Sequence, residues 1–480
     1  MRFGIIMALF ASAPALASGF TPSPDDLVVQ KGRALIAQEH PDIVKHMARQ
    51  DGFGGPKSAL IARAMLSTAP EVVAEARAKM TIEPHGNSMW LIRFPYVNVA
   101  LIETRDSLVL FDSGYASIGV VLKDVIPTLS KKPLKTIFLS HTHVDHSYGA
   151  RELVKLPSRP RVIASAQMLK AIDTDLRLGG SIGRYNNQPL SLQPSTKADV
   201  VVPDETFEGR KTYKIGGETF VVTHAPGETE DQIWLSIPGR KTIVTADYYQ
   251  GFLPNAGNGK RLQRYVEEWT AAYREMAALK PEIMLPMHGA AIEGADKIVP
   301  TLTTYADAFD HILTQVVNRL NAGERKDVIA ATIDWPERFA KNPLLEAQYN
   351  RPADIARMIM KRWTGWWDDV PSHFAAMTFD AEAREVLRLA GGLDAVEKRA
   401  RAVLPTDPML AARLADWAYF GAPDDPKALQ LAIDVYLARI AEPDMPVQEG
   451  LIYLDVAAKA RARLAELVDN NLIRNSGISK

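Results

Sequence analysis

From Trp90 onward the apolar residues fall into short runs separated by turn residues. Trp90–Phe94, Val97–Glu103 and Ser107–Phe111 are apolar or alternating, the signature of strands, and Arg105-Asp106 reads as a hairpin turn between the last two. Ile118–Ile126 predicts a helix stopped by Pro127, and Leu134–Leu139 a buried strand. Further strands are expected at Arg161–Ala164, Thr219–Val222, Ile233–Ile237, Thr242–Thr245 and Ile283–Pro286, in alternation with helices, which is an α/β layer pattern. Upstream, residues 24–80 read as helical, with Asp42–Met47 and Ala59–Leu66 compatible with helix and Gly52, Gly54, Gly55 and Pro56 breaking the stretch between them. From about residue 301 nearly everything is helix: Leu302–Leu320, Ala353–Trp367, Ala381–Leu389 and Leu393–Val403. Pro408–Ala418 and Pro426–Ala441 resemble antiparallel hairpins, but no fixed repeat period emerges.

A chain of 480 residues is too long for one core of ordinary size. The pattern divides it into residues 1–17, 18–84 (an N-terminal helical segment), 85–300 (the α/β domain) and 301–480 (the helical domain). Residues 1–17 read as a secretory signal. Arg2 supplies the positive end, Phe3–Phe10 the apolar stretch, and Ala15-Leu16-Ala17 the cleavage site. Export to the periplasm or medium is expected. A formal net charge of −1 gives no pull toward nucleic acid or an anionic membrane, and no later segment has the continuous apolar length to span a bilayer. There is no cysteine, so an exported chain relies on packing, and any metal is held by His, Asp and Glu.

That last point changes how His141-Thr142-His143-Val144-Asp145-His146 reads. Three of the ten histidines and a carboxylate follow the apolar run Ile137-Phe138-Leu139, with only Ser140 between. Side chains at i and i+2 of a strand share a face, so extended backbone would aim His141 and His143 at one point. Asp145 and His146, in the turn beyond, would aim at a second. Two adjacent points ringed by imidazole and carboxylate make a two-metal hydrolytic centre. Further polar residues end other predicted strands: Phe111-Asp112-Ser113-Gly114, His224-Ala225-Pro226-Gly227-Glu228-Thr229, Ala246-Asp247 and Pro286-Met287-His288-Gly289.

Five such motifs in this order, over about residues 85–295, resemble the metallo-β-lactamase superfamily. The resemblance implies a four-layer αββα fold followed here by an all-α domain, and two zinc ions per chain. It implies that His141 and His143 bind the first ion, Asp145, His146 and His288 the second, and that Asp247 bridges both. Asp112 is expected behind the ligands, orienting the metal loop, or as a helix cap. Most members carry His where this chain has Glu228. Either Glu228 ligates the first ion, or His224 takes that place; the first reading puts His224 behind the ligands. Glutamate there, 19 residues before Asp247, resembles the alkylsulfatase branch. The helical half resembles that branch's dimerisation domain: His311–Gly323, then Trp363-Thr364-Gly365-Trp366-Trp367-Asp368, Pro371-Ser372-His373 and the Ala390-Gly391-Gly392 turn. The branch's C-terminal sterol-carrier-like domain is expected to be absent, and Trp363 and Trp366 are each expected in the core.

The expected activity is hydrolysis of alkyl sulfate esters to alcohol and sulfate by a metal-bound hydroxide, in a homodimer joined through the helical domain. The site carries an excess of carboxylates, so an anionic sulfate ester needs a compensating cation. Arg261 is the leading residue for that, with Lys260 and Arg264 beside it. Met287-His288-Gly289 lacks the paired histidines and tryptophan associated with alkylsulfatases at this motif. A lactam, lactone or thioester is therefore the alternative substrate. A third reading, a non-enzymatic interaction module, fits poorly with a complete ligand series.

Overall fold

The computed structural model describes residues 20–43, 65–86, 88–186, 188 and 190–476. The signal-sequence reading and most of the two early helical stretches lie outside them. Seven strands form one sheet in sequential order: β1 (Thr81–His85), β2 (Met89–Arg93), β3 (Asn98–Glu103), β4 (Leu108–Phe111), β5 (Leu134–Phe138), β6 (Arg161–Ser165) and β7 (Glu205–Phe207). The first four are antiparallel, and β4 to β7 run parallel. The second sheet has the order β13-β12-β11-β10-β9-β8. Its strands are β8 (Arg210–Ile215), β9 (Glu218–His224), β10 (Ile233–Ile237), β11 (Thr242–Val244), β12 (Ile283–Leu285) and β13 (Ile292–Glu293).

Strand alternation builds four layers. In β4, Val109 and Phe111 join Phe138, Ile163, Val222, Leu235 and Leu285 in the core between the sheets. Their neighbours Leu108 and Leu110 face the other way, with Ile137 and Val162, onto helices. Those helices are α2 (Pro70–Ala78), α3 (Ala116–Leu129), α5 (Ala150–Leu153) and α6 (Gln167–Asn186), with α1 (Pro24–Glu39) earlier in the chain and the single turn α4 (Val144–Ser147) before α5. On the far side Trp234, Ile243 and Met284 pack on α7 (Val266–Ala278) and α8 (Ala295–Asn321). The result is an αββα sandwich. Beyond it come α9 (Lys326–Ala331), α10 (Glu337–Ala340), α11 (Pro352–Thr364), α12 (Phe379–Leu389), α13 (Leu393–Val403), α14 (Pro408–Gly421), α15 (Pro426–Ile440) and α16 (Val447–Ser476). The last five share a core with Ile36 of α1. No helix among the described residues is long and apolar enough to cross a membrane.

Three expectations need correction. The helix predicted to stop before Pro127 continues to Leu129. Strand β5 ends at Phe138, so His141 and His143 are not on extended strand. Trp363 and Trp366 are not core: Trp366 is 71% exposed. Helix α11 ends at Thr364, and Gly365, with φ 77°, turns the chain outward before Trp366.

Candidate metal centre

Each ligand-bearing segment leaves a buried strand at the same end of the sandwich. Two non-glycine residues in left-handed conformation make the sharp bends there, Asp112 (φ 59°) after β4 and Ala246 (φ 47°) after β11. Such residues cluster at sites where the surroundings over-determine the backbone.

The structure brings seven of the predicted residues together. His141, His146 and Asp247 form one convergent group, Asp145, His146 and His288 a second, and His143, Glu228 and Asp247 a third, the donor atoms within each lying inside 4.8 Å of one another. Asp247 Oδ1 is 3.0 Å from His146 Nε2 and 3.2 Å from His288 Nε2. Its Oδ2 is 3.9 Å from His141 Nε2, which is 2.9 Å from His143 Nδ1. Asp247 therefore lies between the groups. Asp145 and His146 reach them from α4.

The imidazoles are oriented from behind. Asp112 is fully buried and accepts hydrogen bonds from Ser140 N (2.7 Å), Ser140 Oγ (2.8 Å) and His146 Nδ1 (2.8 Å). Ser140 Oγ lies 2.9 Å from His141 Nδ1. A proton on each Nδ1 leaves His141 and His146 presenting Nε2 lone pairs to the site. His288 Nδ1 is held the same way by the Tyr96 carbonyl. Asn98 Nδ2 grips Pro286 O and Gly289 O on either side of His288 (2.9 and 2.8 Å). Asp112→Asn is expected to lower metal affinity about 10–100-fold with the fold intact, as direct metal titration would measure.

Charge in the cluster is unevenly shared. Burial pushes the His141 imidazole down to about 3 and depresses His143 strongly, with nearby positive charges, including Arg264 and Arg261, adding to the effect on His143. Burial acts on His146 in the same direction, but Asp247, Asp145 and Asp112 outweigh it and push that imidazole well above its ordinary value, so a metal ion would have to displace a proton from Nε2 to use the lone pair there. For Glu228, burial and the nearby Asp247, only partly offset by Arg264, raise the carboxyl to about 8.

The cage around Glu228 was not legible beforehand. Gln250 Nε2 donates to Oε2 (3.0 Å), Asn255 Nδ2 to Oε1 (2.9 Å), and Arg264 Nη2 pairs with Oε1 (3.0 Å) while its Nη1 donates to the Glu228 carbonyl. Arg264 is 2% exposed, so it is neither a solvated helix residue nor free to hold sulfate. Gln250 and Asn255 sit on a loop braced by Asn350 of the helical half, which accepts from Gly257 N (2.6 Å) and donates to Pro254 O (3.2 Å). His224 is not among the convergent donors; its Nε2 is 2.7 Å from the Glu230 carbonyl across the loop carrying Glu228. Asp231 clamps that loop to the histidine loop by accepting from Thr142 N (2.9 Å). The Thr142 hydroxyl donates to Asp175 of α6. Burial raises Asp231 to about 6 and Asp175 to about 7.

Arg261 lies at the edge of the cluster. Burial, aided by Arg264, lowers its guanidinium to about 10, against the pull of Glu228, Asp175 and Asp145. Lys260, half-buried, sits instead in the field of Asp455 and Arg33.

A two-ion metal site fits this donor set. The buried His146 Nε2 and Asp247 Oδ1 face each other without hydrogen-bond geometry. Four imidazoles and three carboxylates are ligands that zinc and similar borderline divalent ions take.

Residues 92–288 match the metallo-β-lactamase superfamily, and residues 325–462 match the alkyl sulfatase dimerisation family. The chain joins a metallo-β-lactamase domain to an alkylsulfatase dimerisation domain. A linear primary-alkylsulfatase from Pseudomonas sp. is 26% identical over 347 residues, covering 66% of this chain and 65% of its own length. An (R)-specific secondary-alkylsulfatase from Pseudomonas sp. is 22% identical over 368 residues, or 69% and 56% of the two chains. The chain thus spans less than two thirds of the length of these relatives. In fold it is similar to a stereoselective inverting sec-alkylsulfatase from Pseudomonas sp., with a TM-score of 0.70 and 18% identity over 94% of this chain and 78% of that one. The similarity in fold therefore extends through both halves of this protein.

Proposed function

We propose that this protein hydrolyses alkyl sulfate esters to alcohol and sulfate at a dinuclear zinc centre. The observation carrying this reading is the convergence of three donor groups on and around Asp247, with Arg261 at their edge. His141, His143, Glu228 and Asp247 would hold one ion, and Asp145, His146, Asp247 and His288 the other. Bound divalent cations supply Lewis acidity and lower the pKa of water toward neutrality.

The chain's own residues do the rest. Asp145 and Asp247, joined by Glu228 once a bound cation ionises it, bring three negative charges, which would repel an anionic ester. Arg264 pairs with Glu228, and Arg261, which forms no ion pair with a carboxylate among the described residues, would receive the sulfate in the bidentate geometry guanidinium favours. Asp112 and Ser140 fix the imidazole tautomers, while Asp231 and Thr142 hold the two ligand loops in register. The match to a dimerisation family supports a homodimer, which sedimentation would report as twice the mass of one mature chain. Export to the periplasm or medium is part of the same proposal.

The test is sulfate release from primary and secondary alkyl sulfates by zinc-loaded protein, beside lactam, lactone and thioester substrates. Sulfate release that vanishes in His141→Ala/His143→Ala is expected. Turnover of an acyl substrate alone would assign the site to the other bond class.

A further inference from the structure

Between Tyr248 and Val266 the chain forms no helix or strand, yet Gln250, Phe252, Leu253, Asn255, Ala256 and Asn258 are buried. Backbone polar groups in a buried loop need partners. Several of them come from the helical half of the protein. Leu253 N donates to Glu346 O (3.1 Å), Gly257 N donates to Asn350 Oδ1 (2.6 Å), and Asn350 Nδ2 donates back to Pro254 O (3.2 Å). Phe252 stacks on Tyr349, with ring centroids 5.4 Å apart. The fit is closest at Gly257, where a Cβ would lie 2.6 Å from Ile355 N and 2.7 Å from Asp354 C, both backbone atoms in the first turn of α11. The seat is itself anchored in the helical bundle. Val447 N, at the start of α16, donates to Gln348 O (2.8 Å), and Arg351 pairs with Glu449.

We propose that Asn350 is a positioning residue of the metal centre, holding the 250–257 loop so that Gln250 and Asn255 fix the Glu228 carboxylate opposite His143 and Asp247. This rests on the dinuclear reading of the site and extends it to the helical half. Asn350 is 2% exposed, and among the described residues its side chain bonds only to this loop, one end of the amide accepting and the other donating. Inside the loop, Asn255 N donates to Gln250 Oε1 (3.2 Å), so the two residues that hold Glu228 are tied to each other. Each gives an amide donor to a different oxygen of Glu228, which fixes the plane of the carboxylate and the direction in which it meets an ion. Asn350 and its seat lie inside the match to the dimerisation family, residues 325–462, and outside the match to the metallo-β-lactamase superfamily, residues 92–288. The helical half thus completes a ligand set that the sandwich carries.

The test is a zinc titration of the metal-free full chain against a competing chelator, read as two binding steps, beside thermal unfolding of the same samples. Asn350→Ala is expected to weaken one step about tenfold, the lower end for a residue that orients a ligand through others, and to leave the second step within about twofold. Gly257→Ala, whose added Cβ pushes the loop off the same seat, is expected to weaken the same step, and it carries the test should Asn350→Ala not fold. Arg362→Met breaks a tie between α11 and Glu268 of α7 at the junction of the two halves without reaching residues 250–257, so both steps should be unchanged in it. Native-like steps in Asn350→Ala or Gly257→Ala, or equal weakening of both steps, would overturn the assignment. So would the same loss in Arg362→Met, which would make Asn350 only a fastening between the halves. If the native chain binds fewer than two ions, the dinuclear reading fails and the inference falls with it. Two ions bound by the native chain, with unchanged steps in the variants, strike the positioning role alone.

Discussion

Asp247→Ala is expected to abolish sulfate release, by about 10³-fold or more, and to leave the protein unable to hold two ions. The expectation follows from its position. Its two oxygens face different sets of imidazoles, and it belongs to two of the three convergent donor groups. His146 is also shared between two groups, but its Nδ1 is held by Asp112 and only one nitrogen faces the site, so its loss, like that of the other ligands, leaves part of the set standing. A centre that supplies several kcal/mol of transition-state stabilisation loses most of it when its shared ligand goes. Metal content by elemental analysis and sulfate release measured on one preparation check this, with circular dichroism to show that the sandwich is folded. Two ions per chain in the variant would show that Asp247 does not join the sites.

Arg264→Met is expected to be the most destabilising single change near the site, at about 3–5 kcal/mol in the metal-free protein above pH 8, where Glu228 is ionised. It removes the counter-charge from Glu228, which is itself 4% exposed and cannot retreat to water. The arginine also ties the Glu228 carbonyl, so one side chain fixes both ends of that residue. A cation bound near Glu228 replaces part of the lost positive charge. The drop in Tm should therefore be larger without metal than with it. Thermal unfolding of native and variant protein, each with zinc and after chelation, reads the difference. Equal drops in both states would mean that Glu228 does not face the metal, and no drop would mean that the pair is not buried in solution.

The strands that deliver the site were legible because they are buried on both faces. Leu108 to Phe111 is apolar throughout, and Ile233 to Ile237 is apolar but for the buried Ser236. Strand β1 was missed: Pro84 and two charged or polar neighbours disguise it, and it survives because it is an edge strand. Strand β8, Arg210–Ile215, was missed for the same reason at the edge of the other sheet, where four of its six residues are polar or charged. Within the site, the ligands announced themselves as His, Asp and Glu at strand ends. Their supports did not, because Asn98, Gln250, Asn255, Arg264 and Asn350 are ordinary polar residues whose partners lie far along the chain. No local pattern distinguishes a buried, committed arginine at 264 from the half-buried one at 261. The tryptophans at 363 and 366 misled for a related reason: a large apolar side chain usually signals a core, yet Trp366 here lies past a glycine turn on the surface.

The most direct measurement is a zinc titration of metal-free protein, following sulfate release from dodecyl sulfate at each addition. Release should rise from zero and level off at two equivalents per chain. A plateau at one equivalent, release that does not depend on metal, or no release with two equivalents bound would contradict a dinuclear sulfatase centre around Asp247.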